Sequence, residues 1–215
     1  MPPGRLITVE GVDGSGKTTL AAGLGNVLRA RGLDVRVLRE PGGVDVAERI
    51  RELVHDPALG IAPRAEALLF AAARAQLVEE ALEPLLQAGV WVILDRFVDS
   101  SLAYQGGGRG LGIDEVAEIN RFATQSLGPD RTLLLVLAPE LGRSRARARE
   151  TAIDRLEREH DDFFSRVAAT YSRLAAADPE RFRTLDAMAA AKRDRRCRTR
   201  DRENVSPCGA SGAPR

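Results

Sequence analysis

The feature that most constrains this chain is residues 11–18, which have the pattern G-x-x-x-x-G-K-[ST] and follow the apolar run at residues 6–9. The next stretch, from residue 19 to about residue 31, carries leucine and valine at helical spacing. Between a strand and a helix, such glycines let several backbone N–H groups point at one anion, and the helix N-terminus adds its positive end. The alternative is an ordinary glycine-rich turn, but the placement favours a phosphate-binding loop.

Each functional group of the loop has an expected role. Lys17 places a positive charge near the β- and γ-phosphates of a nucleoside triphosphate, and the Thr18 hydroxyl is expected to hold Mg²⁺. The residues predicted to bind ATP are Gly11, Val12, Asp13, Gly14, Ser15, Gly16, Lys17, Thr18 and Thr19.

Short apolar runs alternate with helix-periodic segments along the chain. Strands are predicted at residues 6–10, 34–38, 90–94, 132–137 and 182–185, and further helices at about 46–55, 64–87, 113–127, 140–150 and 158–177. Continuous Val, Ile and Leu runs suit a parallel sheet that is covered on both faces. The pattern predicts one three-layer α/β domain at residues 1–187, with its ligands at the carboxyl ends of the strands.

Charged residues follow two of these strands. Asp95 comes directly after the third strand, where a carboxylate near Mg²⁺ is expected in a phosphate-loop protein, although it could instead cap a turn or helix. Arg39, Arg51 and Arg96 come from three separate segments that could reach one cleft. One guanidinium group can bind two phosphate oxygens at once, so the convergence of these three arginines predicts a second phosphate site. Any one of the three could instead be a surface charge.

Three other segments carry candidate binding groups. Phe70 and Arg74 share a helix face and could form a platform and donor fork for a flat base, although spacing alone favours Phe70 as a core residue. Residues 100–110 combine hydroxyl and amide groups with a glycine run, which indicates either a binding segment or a flexible loop. Arginines alternate at positions 143, 145, 147 and 149, so they fall on two helix faces, one of which is expected to be solvated.

Charge and cysteine content limit the partners. Residues 188–215 carry eight Lys or Arg and three acids, which gives this tail a charge of +5. Because the whole chain has a net charge of +1, the rest of it carries about −4. This balance gives no reason to expect nucleic acid as a partner.

The tail at residues 188–215 is expected to be disordered. Both cysteines, Cys197 and Cys208, lie in it, and no apolar run is long enough to cross a membrane, which favours a soluble cytoplasmic protein.

Taken together, these motifs resemble bacterial thymidylate kinases over residues 5–187. The resemblance is carried by the phosphate loop with an acid at its third position, R-E-P-G-G at 39–43, Phe70 with Arg74, D-R-F at 95–97, residues 101–105, and D-R at 154–155. It implies a phosphate-loop kinase fold with a five-stranded parallel sheet and a small helical lid at about residues 143–157. It also implies transfer of the γ-phosphate of ATP to dTMP with Mg²⁺, a role in nucleotide biosynthesis, and a homodimer.

The resemblance also implies individual roles. Phe70 would stack on thymine, Arg74 would bond a base carbonyl, Ser101 and Gln105 would complete the base edge, and Asp13 would take the 3′-hydroxyl. The remaining substrate-binding residues are Arg39, Arg51 and Arg96 at the monophosphate, Glu40 beside them, and Tyr104 by the deoxyribose. The implied catalytic residues are Lys17, Asp95, Arg149 and Arg155, with Thr18 and Asp95 at the metal. The family's usual last helix is replaced here by the basic tail.

Two other functions remain open from the residues. The first is a nucleotide-dependent switch without catalysis, but the guanine-reading motif N-K-x-D is absent from the sequence. The second is a kinase for another pyrimidine nucleotide.

Overall fold

The computed structural model describes residues 3–147, 155–156 and 158–188. A five-stranded sheet forms its centre, with β1 (Leu6–Gly11), β2 (Val35–Arg39), β3 (Trp91–Asp95), β4 (Arg131–Val136) and β5 (Phe182–Asp186) in the order β2-β3-β1-β4-β5. All four strand pairs are parallel. The predicted α/β class is confirmed, and each strand boundary lies within one residue of its predicted position.

The helices follow the predicted alternation. They are α1 (Lys17–Ala30), α2 (Asp45–His55), α3 (Pro63–Leu77), α4 (Glu83–Gln87), α5 (Val98–Ser101), α6 (Ile113–Ala123), α7 (Pro139–Arg147) and α8 (Asp161–Ala177). A first π-helix, Val78–Leu82, joins α3 to α4, and a second π-helix, Leu102–Gly108, continues α5.

The helical segment at residues 98–108 differs from the flexible loop that its glycines allowed. A Cβ atom on Gly107 would lie 2.0 Å from the hydroxyl oxygen of Thr170, and one on Gly108 would lie 2.6 Å from the Phe163 ring. Both neighbours belong to α8. The glycines are therefore needed because α8 packs directly on the second π-helix, and the flexible-loop alternative is wrong.

The core lies on both faces of the sheet. On β3, Ile93 packs in one apolar cluster with Val9 and Phe163, whereas its neighbours Val92 and Leu94 pack in another. This alternation is expected because successive strand side chains point to opposite faces. Burial on both sides explains why the strands read as continuous apolar runs.

Parts of the predicted lid and tail lie outside the described residues. These are residues 148–154, residue 157 and everything after Met188. Within the described ranges, no helix is long and apolar enough to cross a membrane.

Candidate active site

The phosphate loop joins β1 to α1, and α1 begins at Lys17. Gly14 has a φ of +75°, and a Cβ atom there would lie 2.1 Å from the carbonyl oxygen of Gly142 in α7. Glycine is thus required at this position for two reasons, the positive φ of the backbone and the close approach of α7. The N-terminus of α1 faces the loop, which adds the positive end of a helix to its N–H groups.

Lys17 lies in the loop and is buried, with only 7% of the residue exposed. Its Nζ donates to the carbonyl oxygen of Val12 at 3.0 Å and lies 3.8 Å from a carboxylate oxygen of Asp13. Burial, together with the nearby charge of Arg96, lowers the pKa of Lys17 to about 8. A bound anion would favour the charged ammonium, so this lysine is suited to phosphate.

Thr18 and Asp95 meet at the junction of α1 and β3. The Thr18 hydroxyl donates to Oδ2 of Asp95 at 2.6 Å, so Asp95 does not act as a simple helix cap. Hydroxyl and carboxylate oxygens are the ligand type that Mg²⁺ prefers, with water and phosphate oxygens completing its shell. Across the described ranges no group of three His, Cys, Asp or Glu side chains could hold a metal. The oxygens of Thr18 and Asp95 are of the type that fits Mg²⁺.

An open cleft of about 230 Å³ runs from the phosphate loop to the ends of β2 and β3. Its lining includes Lys17, Thr18 and Asp95 together with Arg39, Arg51 and Arg96. The structure therefore brings together the three arginines that the sequence placed in separate segments. Four cationic groups that line one cleft can hold two phosphate groups.

Arg96 is tied to the phosphate loop through Asp13. Its guanidinium pairs with Asp13 and also donates to Ser100 Oγ at 3.0 Å, while the Tyr104 hydroxyl donates to Asp13 Oδ2 at 2.9 Å. Burial alone would raise the pKa of Asp13, but the charges of Arg96 and Lys17 outweigh it and hold that pKa well below its usual range. Asp13 therefore stays a carboxylate acceptor beside the cleft.

Glu10 is a site residue that the sequence analysis missed. Its carboxylate is fully buried and accepts from the Phe97 backbone N–H at 2.7 Å, Ser100 Oγ at 2.6 Å and the Tyr171 hydroxyl at 2.9 Å. Ser100 Oγ in turn accepts a hydrogen bond from Arg96, so Glu10 helps to position the arginine through Ser100. An acid inside the otherwise apolar first strand was the available signal.

We expect Glu10 to make the free energy of unfolding depend on pH. Burial and the nearby Asp99 carboxylate raise the pKa of Glu10 from 4.5 to about 7. From pH 5 to pH 8 the unfolded chain has already lost this proton while the folded chain still holds part of it, so stability falls as pH rises, by up to about 3 kcal/mol. Glu10→Gln should remove that slope in urea unfolding followed by circular dichroism.

The control is Glu118→Gln on the exposed face of α6, where Arg121 lowers the pKa of the carboxyl. It should leave the slope between pH 5 and pH 8 unchanged. Equal slopes in the wild type and Glu10→Gln would contradict the assignment.

Phe70 packs in a small cluster at the side of α3. Its neighbours include Val54 and Leu156, the His55 ring meets its edge at 6.5 Å between centroids, and 9% of the residue is exposed. Phe70 is thus packed like a core residue, and its stacking on a base stays a prediction.

Arg74 is buried, and each of its three guanidinium nitrogens donates to a protein acceptor. Nε donates to Oε2 of Glu40, Nη2 donates to the Phe97 carbonyl oxygen and lies 2.6 Å from the same Glu40 oxygen, and Nη1 donates to Ser101 Oγ and Asn120 Oδ1. Its predicted contact with the base stays a prediction.

Gln105 is held by Glu66, a second buried carboxylate that the sequence analysis missed. Gln105 Nε2 donates to Glu66 Oε1 at 2.9 Å, and Arg109 and Arg155 bond the same carboxylate. Arg155 lies 2.6 Å from Glu66 and donates from Nε to the carbonyl oxygen of Val54 at 3.0 Å. The structure therefore places Arg155 against α2 and α3, while Arg149 lies outside the described residues.

Two phosphate groups facing each other across one cleft are what a phosphate-loop kinase must hold, and this is the class of protein that the fold and the cleft define. The thymidylate kinase family model matches residues 9–194. This chain belongs to that family, which confirms the resemblance inferred from the motifs.

Individual relatives agree with this assignment. The thymidylate kinase of Halorhodospira halophila is 48% identical over 186 residues, which are 86% of each chain. That of Bifidobacterium longum strain NCC 2705 is 50% identical over 188 residues, covering 86% of this chain and 90% of the relative. The thymidylate kinase of Deinococcus radiodurans is 50% identical over 187 residues, which cover 87% of this chain and 90% of the relative.

Proposed function

We propose that this protein transfers the γ-phosphate of ATP to dTMP, giving ADP and dTDP, in the cleft between the phosphate loop and the three arginines. This is the reaction of the thymidylate kinase family. The observation that carries the proposal is the convergence of Arg39, Arg51 and Arg96 on the same cleft as Lys17 and Thr18. The phosphate loop would hold ATP, and the arginines would hold the monophosphate of dTMP.

Phosphoryl transfer depends mainly on in-line positioning and on neutralising the charge that spreads over the moving group. Lys17 supplies a fixed positive charge, and Thr18 with Asp95 would hold Mg²⁺. When bound, Mg²⁺ adds charge neutralisation at the β- and γ-phosphate oxygens. The acceptor is already an anionic phosphate, so the protein needs no strong general base.

The base and sugar of dTMP would lie beyond the arginines. Phe70 would stack on thymine, and Ser101, Gln105 and Arg74 would line the base edge. Tyr104 and Asp13, which hydrogen-bond each other at 2.9 Å, would adjoin the deoxyribose. These roles rest on the match to the family's motifs, and of these residues Asp13 also lines the cleft.

Phe70→Ala is expected to raise KM for dTMP by about 5- to 150-fold with little change in KM for ATP, because stacking on an aromatic ring is worth about 1–3 kcal/mol per base. Steady-state kinetics with each substrate varied in turn would measure both values. Val54→Ala is the matched control, since it opens the same apolar cluster without removing the ring. If both variants raise the two KM values equally, Phe70 is only a core residue.

We also propose a cytoplasmic homodimer. Large apolar side chains are exposed on three helices, namely Leu53 on α2, Leu68 on α3 and Phe122 on α6, the last at 88%. Helix α3 contacts both α2 and α6, so the three helices are neighbours, and exposed apolar groups on adjacent elements are typical of subunit interfaces. Sedimentation should give a dimer, and a purely monomeric protein at micromolar concentration would contradict this part.

A coupled assay of ADP release with dTMP, dUMP, dCMP and UMP tests the substrate. The proposal predicts the highest kcat/KM for dTMP. A preference for another nucleotide would support the alternative pyrimidine kinase. ATP binding without turnover on any of the four would support the switch.

A further inference from the structure

We propose that Glu48 is a positioning residue for the monophosphate of dTMP, because its carboxylate holds the guanidinium of Arg39 at the cleft. Glu48 itself does not line the cleft, so it acts on the nucleotide only through the arginine. The inference rests on the proposed function and deepens it at the phosphate end of dTMP.

Arg39 is exposed to the cleft and is bonded on one side only. It ends β2 and lines the cleft, and 56% of its side chain is exposed. Its Nη2 donates to both carboxylate oxygens of Glu48, at 3.1 Å to Oε1 and 2.9 Å to Oε2. Within the described part of the chain, Nε and Nη1 of Arg39 have no protein acceptor. Glu48 therefore engages one nitrogen of the guanidinium and leaves the other two to bind phosphate oxygens.

The Glu48 carboxylate is itself fixed by the loop at residues 39–43. Glu48 lies in the first turn of α2, and its Oε1 accepts from the Gly43 backbone N–H at 2.9 Å. A Cβ atom on Gly42 would lie 2.5 Å from the same oxygen, so the loop backbone passes directly against the carboxylate. The Gly43 N–H and the charge of Arg39 hold the pKa of Glu48 below its usual value, so Glu48 is ionised at neutral pH.

We expect this contact to affect ligand binding more than stability. An ion pair as exposed as that of Arg39 and Glu48 adds little to the free energy of unfolding. A long side chain that must be immobilised when a ligand binds reduces the affinity. Because Glu48 holds Arg39 before dTMP arrives, less of the arginine's freedom is lost on binding.

The test is Glu48→Asp, because Glu48 also places a negative charge near the phosphate and a useful variant must keep that charge. The shorter aspartate cannot bond both Gly43 and Arg39. We expect Kd for dTMP to rise by about 2- to 12-fold, the usual cost of immobilising one long side chain. Kd for thymidine, which lacks the phosphate, should stay unchanged. Calorimetric titration of each ligand into the full-length protein measures both values.

Two further variants show whether Glu48 acts through the arginine. Arg39→Met removes the guanidinium and should weaken the binding of dTMP, and adding Glu48→Asp to it should weaken that binding no further. Glu52→Asp is the matched control, because Glu52 is exposed one turn further along α2 and undergoes the same change in side-chain length and helix propensity. It should leave both Kd values as in the wild type.

Three results would each overturn the inference. They are a Glu48→Asp variant that binds dTMP as the wild type does, a variant that loses the same factor for dTMP and thymidine, and a full further loss when Glu48→Asp is added to Arg39→Met. All three can occur in a protein that phosphorylates dTMP, so the inference can fail while the proposed function stands. If Arg39→Met alone leaves the binding of dTMP unchanged, the phosphate site of the proposed function is wrong and the inference falls with it.

Discussion

Replacing Lys17 by Met is expected to reduce kcat by about a thousandfold or more while the free energy of unfolding stays nearly unchanged. The ammonium lies in the phosphate loop, and removing one group aimed at developing charge typically costs about 10²–10³ in rate. Its side chain donates a hydrogen bond to the Val12 carbonyl oxygen, and methionine keeps an apolar stem of similar length. Asp13, whose carboxylate lies 3.8 Å from the ammonium, keeps its ion pair with Arg96 in the variant.

The chain offers a matched control, because its one other lysine is Lys192 in the basic tail. Lys192→Met should leave kcat at the wild-type value. Near-wild-type turnover in Lys17→Met would show that the phosphate loop is not the catalytic site. Thermal unfolding of both variants would exclude a general loss of structure.

Arg149→Ala is expected to lower kcat by at least about a hundredfold with little change in the binding of dTMP. Besides Lys17, the phosphate loop at residues 11–18 contains no cation that could neutralise the negative charge on the phosphoryl group during transfer. A lid arginine that closes over the site when ATP binds would supply it, and such residues are worth about 10³–10⁵ in kcat when they act alone. A fall in kcat at constant dTMP affinity is what loss of a transition-state contact produces.

Arg155→Ala provides the comparison. Arg155 bonds Glu66 and the Val54 carbonyl oxygen, and it would have to leave both to reach the phosphate loop. We therefore expect a smaller fall in kcat than for Arg149→Ala. If both variants stay within a factor of about three of the wild type, the catalytic cation comes from elsewhere and the alternating arginines are a solvated helix face.

The strands and the phosphate-binding end of the site could be predicted because local sequence determines them. Runs such as residues 91–94 are apolar throughout because both faces of the sheet are covered. At residues 11–18 the glycines of the motif themselves allow the conformation of the loop. The convergence of Arg39 and Arg96 followed from the rule that parallel strands end at one edge of the sheet, and α2 adds Arg51 to them.

The buried carboxylates could not be predicted, because their partners are distant in sequence. Glu10 is stabilised by Ser100 and Tyr171, and Glu66 by Gln105 and Arg109. Taken alone, Glu66 resembles a surface residue, and for Glu10 the one signal was its place in an otherwise apolar strand. The helical form of residues 102–108 was missed for a similar reason, because its glycines reflect the close approach of α8 rather than local flexibility.

The central claim is that the γ-phosphate of ATP passes to dTMP, and the most direct test follows that phosphate. The purified full-length protein would be incubated with γ-³²P-labelled ATP, dTMP and Mg²⁺, and the nucleotides separated by chromatography. The account predicts that the label appears in dTDP, in amounts equal to the ADP formed, and that Lys17→Met forms none at the same enzyme concentration. Label found only in inorganic phosphate, or retained in ATP, would contradict it.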